Sequence, residues 1–126
     1  MDDVRLLADG VTLRAFSTEN HVHRFHVPAR TRSLRIQSPV FVPADRNPMH
    51  ADQRRLGISL VRLAFRSPGM DLDLPADDDL LHEGFHAPEP GHRWTDGDAA
   101  LPPSLLAGFT EPFTLELHLN PQQSSR

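Results

Sequence analysis

Phe113-Thr114-Leu115-Glu116-Leu117-His118-Leu119 alternates apolar and polar residues without a break. A period of two places the four apolar side chains on one face and Thr114, Glu116 and His118 on the other, which predicts a strand with one buried side. The same pattern recurs in short pieces outward from it. Residues 11–16 alternate, and Asp9-Gly10 supports a tight hairpin back to a first strand at residues 4–7. Residues 21–27 read as a third strand ended by Pro28, with His21, His23, Phe25 and Val27 sharing a face. Residues 33–37 bury Leu34 and Ile36, and residues 39–43, bracketed by prolines, continue as a short edge segment. Residues 44–53 form a polar loop. Residues 56–65 are the most apolar stretch, with Gly57, Ser59, Val61, Leu63 and Phe65 on one side and Ile58, Leu60, Arg62 and Ala64 on the other, as expected of a central strand.

Ser67-Pro68-Gly69 turns the chain into a short alternating piece at residues 71–74. Asp77-Asp78-Asp79 is expected to cap one helical turn through Leu81, and Pro102 or Pro103 to open another that Gly108 ends. Twelve Pro and seven Gly among 126 residues argue against long helices. The expected fold is therefore all-β: an antiparallel β-sandwich of jelly-roll type, with one or two short helical turns and a barrel as the alternative. Residues 1–119 are read as a single domain and residues 120–126 as a disordered tail.

Thirteen basic and seventeen acidic residues, interspersed, give a net charge of −4 and no basic stripe to follow a phosphate backbone, so nucleic acid is not an expected partner. Cys is absent, which removes disulfides and thiolate zinc sites. No stretch has the length of a signal-peptide core or a membrane span, so a cytoplasmic location without membrane insertion is the default expectation. No motif calls for a cofactor.

Candidate site residues concentrate in residues 84–100, which hold the only Trp. Trp94 follows Arg93 and precedes Thr95-Asp96-Gly97-Asp98, so a large ring is delivered to a turn. Its structural reading is a hydrophobic plug. Its functional reading is a platform for a sugar face, with Arg93, Asp96 and Asp98 bonding hydroxyls and His86 and Glu89 beside them. Asp52-Gln53-Arg54-Arg55 adds two guanidinium groups before the central strand. There, bidentate pairing of an Arg with Asp52 would order the turn, whereas Arg54 or Arg55 turned toward Trp94 would extend the surface.

Eight His residues raise a second chemistry, since His21-x-His23 on one strand face could present two imidazoles to a metal. A third ligand from His118, Glu116, His50 or Asp52 would be needed, and no fixed ligand signature is present. Nucleophilic catalysis lacks a Gly-x-Ser-x-Gly elbow. The carboxylate pairs Glu83 with Glu89 and Asp96 with Asp98 sit beside turn residues, where acids ordinarily shape the chain.

Leu6-x-x-Asp9-Gly10, Phe25-x-Val27-Pro28-Ala29-x-Thr31-Arg32-Ser33, Phe41-Val42-Pro43-Ala44, Asp52-x-Arg54-Arg55-Leu56-Gly57-Ile58 and Gly84-Phe85-His86-Ala87-Pro88-Glu89-Pro90-x-x-Arg93-Trp94-Thr95-Asp96-Gly97-Asp98-Ala99 follow one another along the chain. In this order they resemble the C-terminal accessory region of bacterial Hedgehog/intein (Hint) domain-containing proteins, over residues 4–119. A looser likeness extends to β-rich segments attached to bacterial glycosyltransferases and other surface-polysaccharide proteins. The resemblance implies a separable β module. The Hint domain's own Cys or Ser nucleophile has no counterpart here, so no catalytic residue is carried over. The function expected is noncatalytic recognition or assembly, with a glycan or a protein as partner. A cupin-like metal-dependent enzyme using His21 and His23, or a structural subunit pairing through an edge strand at residues 39–43, are the alternatives.

Overall fold

A computed structural model describes residues 3–46, 49 and 52–121. Its elements in chain order are β1 (Arg5–Ala8), β2 (Val11–Arg14), β3 (Val22–Val27), β4 (Leu34–Gln37), α1 (Pro43–Arg46), β5 (Ser59–Ser67), β6 (Met70–Pro75), β7 (Arg93–Trp94), β8 (Asp98–Ala100), α2 (Pro103–Leu106) and β9 (Phe113–Leu119). They form two antiparallel sheets. One runs β2-β1-β4-β8 and the other β3-β9-β5-β6, with β7 added to β5. The inward residues of both, including Leu6, Leu34 and Ile36 from the first and Phe25, Leu63, Phe65, Leu115 and Leu117 from the second, join in one buried cluster. This is the antiparallel sandwich that the alternating pattern predicts, with the hairpins β1-β2 and β5-β6 each staying within a sheet.

Asp9 and Gly10 both have positive φ, 48° and 84°, the geometry that matches a two-residue hairpin turn to strand twist. The Asp9 carboxylate then accepts the N–H groups of Arg32 and Ser33, tying this turn to the loop before β4. β5 is central, between β9 and β6, as its apolar sequence implies. Its faces differ from strict alternation because a bulge lies between Leu60 and Arg62. Leu60 opposite Leu119 and Leu63 opposite Leu117 both face the core, and Val61 is left at the surface. A bulge inserts one residue without a compositional mark, so alternation read along the sequence assigns Leu60 and Leu63 to opposite sides.

Three further segments depart from expectation. Residues 39–43 do not extend β4: Phe41 makes one bridge, to Leu56, and Pro43 opens α1, which runs on into the expected polar loop. Asp77-Asp78-Asp79 forms a turn, with Asp78 Oδ1 accepting the N–H of Leu80 at 2.9 Å, because an Asx turn competes with helix at such sequences. The third strand starts at Val22, one residue late. The helical turn expected near Pro102 is α2, which Pro102 precedes with extended backbone while Pro103 occupies its first position. Of the expected tail, residues 122–126 lie outside the described residues.

The outer face of the second sheet is a charge ladder. Arg24 Nε donates to Glu116 Oε2 at 3.2 Å, His118 Nε2 meets Glu116 Oε1 at 3.0 Å, and Arg62 and Arg66 share Asp73. Burial alone would raise the Glu116 carboxyl, but the hydrogen bonds from His118 and Arg24 outweigh it and hold the group below its ordinary value. A depressed carboxyl stabilises the fold above its unfolded-state pKa, and this is lost as pH falls through the folded-state pKa. Glu116→Gln is therefore expected to cost about 1 kcal/mol near neutral pH and to converge with the unsubstituted protein only once the pH has fallen below this depressed folded-state pKa, measured by urea denaturation from neutral to acid pH.

Candidate functional site

Residues 85–95 fold back on themselves as a narrow antiparallel arm. Phe85 bridges Thr95 and Glu89 bridges His92, with the His86 N–H donating to the Trp94 carbonyl at 2.9 Å. Pro90 and Gly91 make the corner, and Gly91 has φ +80°, as the third position of a type II turn requires. The returning side of the arm is β7, which pairs with the start of β5: Ser59 opposite Trp94 and Leu60 opposite Arg93. Because neighbours on a strand point to opposite faces, this register divides the Arg93-Trp94 pair. Arg93 follows Leu60 inward and Trp94 shares the other face with Ser59.

Arg93 is 8% exposed. Its Nε donates to the His86 carbonyl at 2.6 Å, its Nη1 reaches the carbonyls of Ala76 and Asp78 at 3.3 and 3.4 Å, and its guanidinium lies 5.4 Å from the Phe85 ring centroid. These contacts pin the arm to the body of the molecule. Trp94 is half-buried, with Phe41 and His92 meeting its ring edge-on at centroid distances of 5.7 and 6.3 Å.

A continuous polar chain leads away from the edge of the indole at His92. Arg54 pairs bidentately with Asp52, Nε to Oδ1 at 3.0 Å and Nη2 to Oδ2 at 2.7 Å, and its Nη1 lies 3.1 Å from Glu89 Oε2. Glu89 Oε1 lies 3.5 Å from His92 Nε2, and His92 Nδ1 is 2.8 Å from Ser59 Oγ. Hydrogen bonds donated to Asp52, then those donated to Glu89, overcome desolvation and raise the Arg54 guanidinium further above its ordinary value, so it is a permanent cation between two carboxylates. The sequence Ser59, His92, Glu89 has the order of a nucleophile, base and orienting acid, but Ser59 is 1% exposed and its Oγ offers no access to a substrate. The arrangement suits recognition: an aromatic ring at the surface with fixed donors and acceptors along its border.

Arg54 and Glu89 are thus paired, and His92 links them to Trp94. His86 and Arg55 meet beside them, where His86 Nε2 donates to the Arg55 carbonyl at 2.7 Å. Asp96 and Asp98 go elsewhere. Asp96 Oδ1 accepts the Asp98 N–H and shapes the turn, and Asp98 lies on the outer face of the first sheet, bonded to Arg35 at 2.7 Å. His21 lies outside β3 with φ +63° and is exposed, whereas His23 is buried opposite Leu117. Among the described residues, no group of three His, Asp or Glu is placed to hold a metal. Ser59, His92 and Phe41 belong to the site without having been marked by the sequence. Glu89-Pro90-Gly91-His92 carried a usable signal, since Pro-Gly at a turn centre sets its flanking residues face to face.

Fold and site together define an all-β sandwich bearing an aromatic patch with a charged border on a short hairpin arm. The chain matches no family model, no curated protein and no solved structure.

Proposed function

We propose that this chain is a noncatalytic recognition module whose ligand is a glycan, seated on the arm that carries Trp94. The observation that carries the reading is the half-buried indole whose ring meets His92, from which the partly exposed Glu89, Arg54 and Asp52 side chains extend as one paired chain. A pyranose presents an apolar C–H face and a rim of hydroxyls. The first suits the ring, and the second suits carboxylates and a guanidinium whose positions are already fixed by pairing, which reduces the ordering cost of binding. The resemblance to Hint-associated accessory regions fits a module appended to larger bacterial proteins.

The single Trp makes the test direct. Titrating the protein with a panel of neutral and acidic oligosaccharides is expected to shift or quench indole emission for at least one member. Calorimetry with that sugar should then show binding weakened about tenfold or more in Trp94→Ala. Emission indifferent to every saccharide, with no heat of binding, would remove the glycan.

A further inference from the structure

The loop between β3 and β4 carries Arg30-Thr31-Arg32-Ser33 and is held rigidly. The Asp9 carboxylate accepts the Arg32 and Ser33 N–H groups, Thr31 Oγ1 donates to the Pro28 carbonyl at 2.8 Å, and Arg30 sits in the left-handed region at φ +60°. Arg30 and Arg32 point into solvent at the rim of a cavity of about 450 Å³, whose apolar wall comes from Pro103, Leu106, Ala107 and Phe109 around α2. No carboxylate lines it.

Most arginines among the described residues have a carboxylate partner, the exposed Arg55 being a further exception. Arg5, Arg14, Arg24, Arg35, Arg54, Arg62 and Arg66 are each paired with Asp or Glu. Arg93 is taken up by backbone carbonyls. In a chain of net charge −4, Arg30 and Arg32 make no ion pair among the described residues, the Asp9 carboxylate being engaged by the loop's backbone N–H groups, and two such guanidinium groups beside an apolar hollow mark a place suited to an anion. The hollow also lies far from the Trp94 arm. The β3 residue Val27, just before this loop, pairs with Phe113 at the start of β9, whereas Leu60, next to the Trp94 partner Ser59, pairs with Leu119 at its end.

We propose that this cavity is a second binding site, for an organic monocarboxylate with an apolar body, such as a medium-chain alkyl acid. The carboxylate bridges Arg30 and Arg32, and the apolar body lies along the exposed Pro103 and Ala107, with buried Leu106 and Phe109 behind them. Its volume falls within the range of small-ligand sites. Two cations favour a charged head, and the apolar wall requires more than a bare anion.

The test uses octanoate as the probe, with octan-1-ol and inorganic phosphate as the uncharged and headgroup-only controls, followed by amide chemical shifts of the full chain. Octanoate is expected to move the amides of residues 30–33 and 107–110, to bind about tenfold or more tightly than either control, and to weaken as salt rises. The pair Arg30→Gln with Arg32→Gln, both at exposed positions, should weaken octanoate by about tenfold or more while leaving octan-1-ol unchanged. Ala107→Phe, which fills the hollow from an exposed position, should block octanoate with both arginines intact. Equal binding of octanoate and octan-1-ol, undiminished binding in the double Gln variant, or shifts confined to other parts of the chain would each overturn the assignment.

Discussion

Arg93→Met is expected to lower the free energy of unfolding by about 3 kcal/mol, seen as a shift of the urea midpoint with little change in slope. Met keeps most of the apolar stem but removes every donor. The carbonyls of His86, Ala76 and Asp78 then lose the guanidinium that joins them, and Phe85 loses its cation. Arg93→Lys should recover less than half of the loss, because one ammonium cannot match the spread of a planar fork across three separate carbonyls. An unchanged midpoint, combined with lost sugar binding, would instead return Arg93 to the ligand-contacting role that its place beside Trp94 suggests.

Gly84→Ala is expected to cost about 3 kcal/mol as well, by a different route. Gly84 has φ +85°, and a methyl group there would collide with the Asp98 carbonyl and the Ala99 Cα. Both obstacles are backbone of β8, whose pairing with β4 leaves little room to yield. Gly10→Ala provides the comparison. Its φ is +84°, yet nothing lies within 4 Å of the added carbon, so only the conformational cost of about 1 kcal/mol should remain. Thermal and urea denaturation of the two variants side by side separate the collision from the torsion, and equal losses would refute the close approach at Gly84.

The strands were legible wherever one face is buried and the pattern runs unbroken, as in β9, where Phe113, Leu115, Leu117 and Leu119 all turn inward. Asp9-Gly10 and Pro68-Gly69 were legible because their backbone angles require particular residues. The bulge after Leu60 was not, since its cause is pairing with a strand more than fifty residues away in the chain, and nothing local records it. The site was half legible for the same reason. Residues 84–100 stood out in the sequence by their Trp, charge and turn residues, and the Asp52 and Arg54 pair was readable from sequence proximity. What the sequence could not show is how the register of β7 on β5 sorts adjacent residues, sending Arg93 inward and Trp94 toward Ser59 and His92. His21 and His23 failed to share a face for a local reason instead: the left-handed backbone at His21 comes just before the strand begins.

Residues 93–100 belong to both layers, entering from β7 in one sheet and leaving through β8 in the other, with Thr95 wholly enclosed at the crossing and bonded to Gly57 and Ile58 on its way. A strap anchored at both ends removes sliding as a soft motion of the molecule. Among the described residues, the hairpin tips lie outside that tie, and the one formed by Pro90 and Gly91 closes the arm that carries the indole.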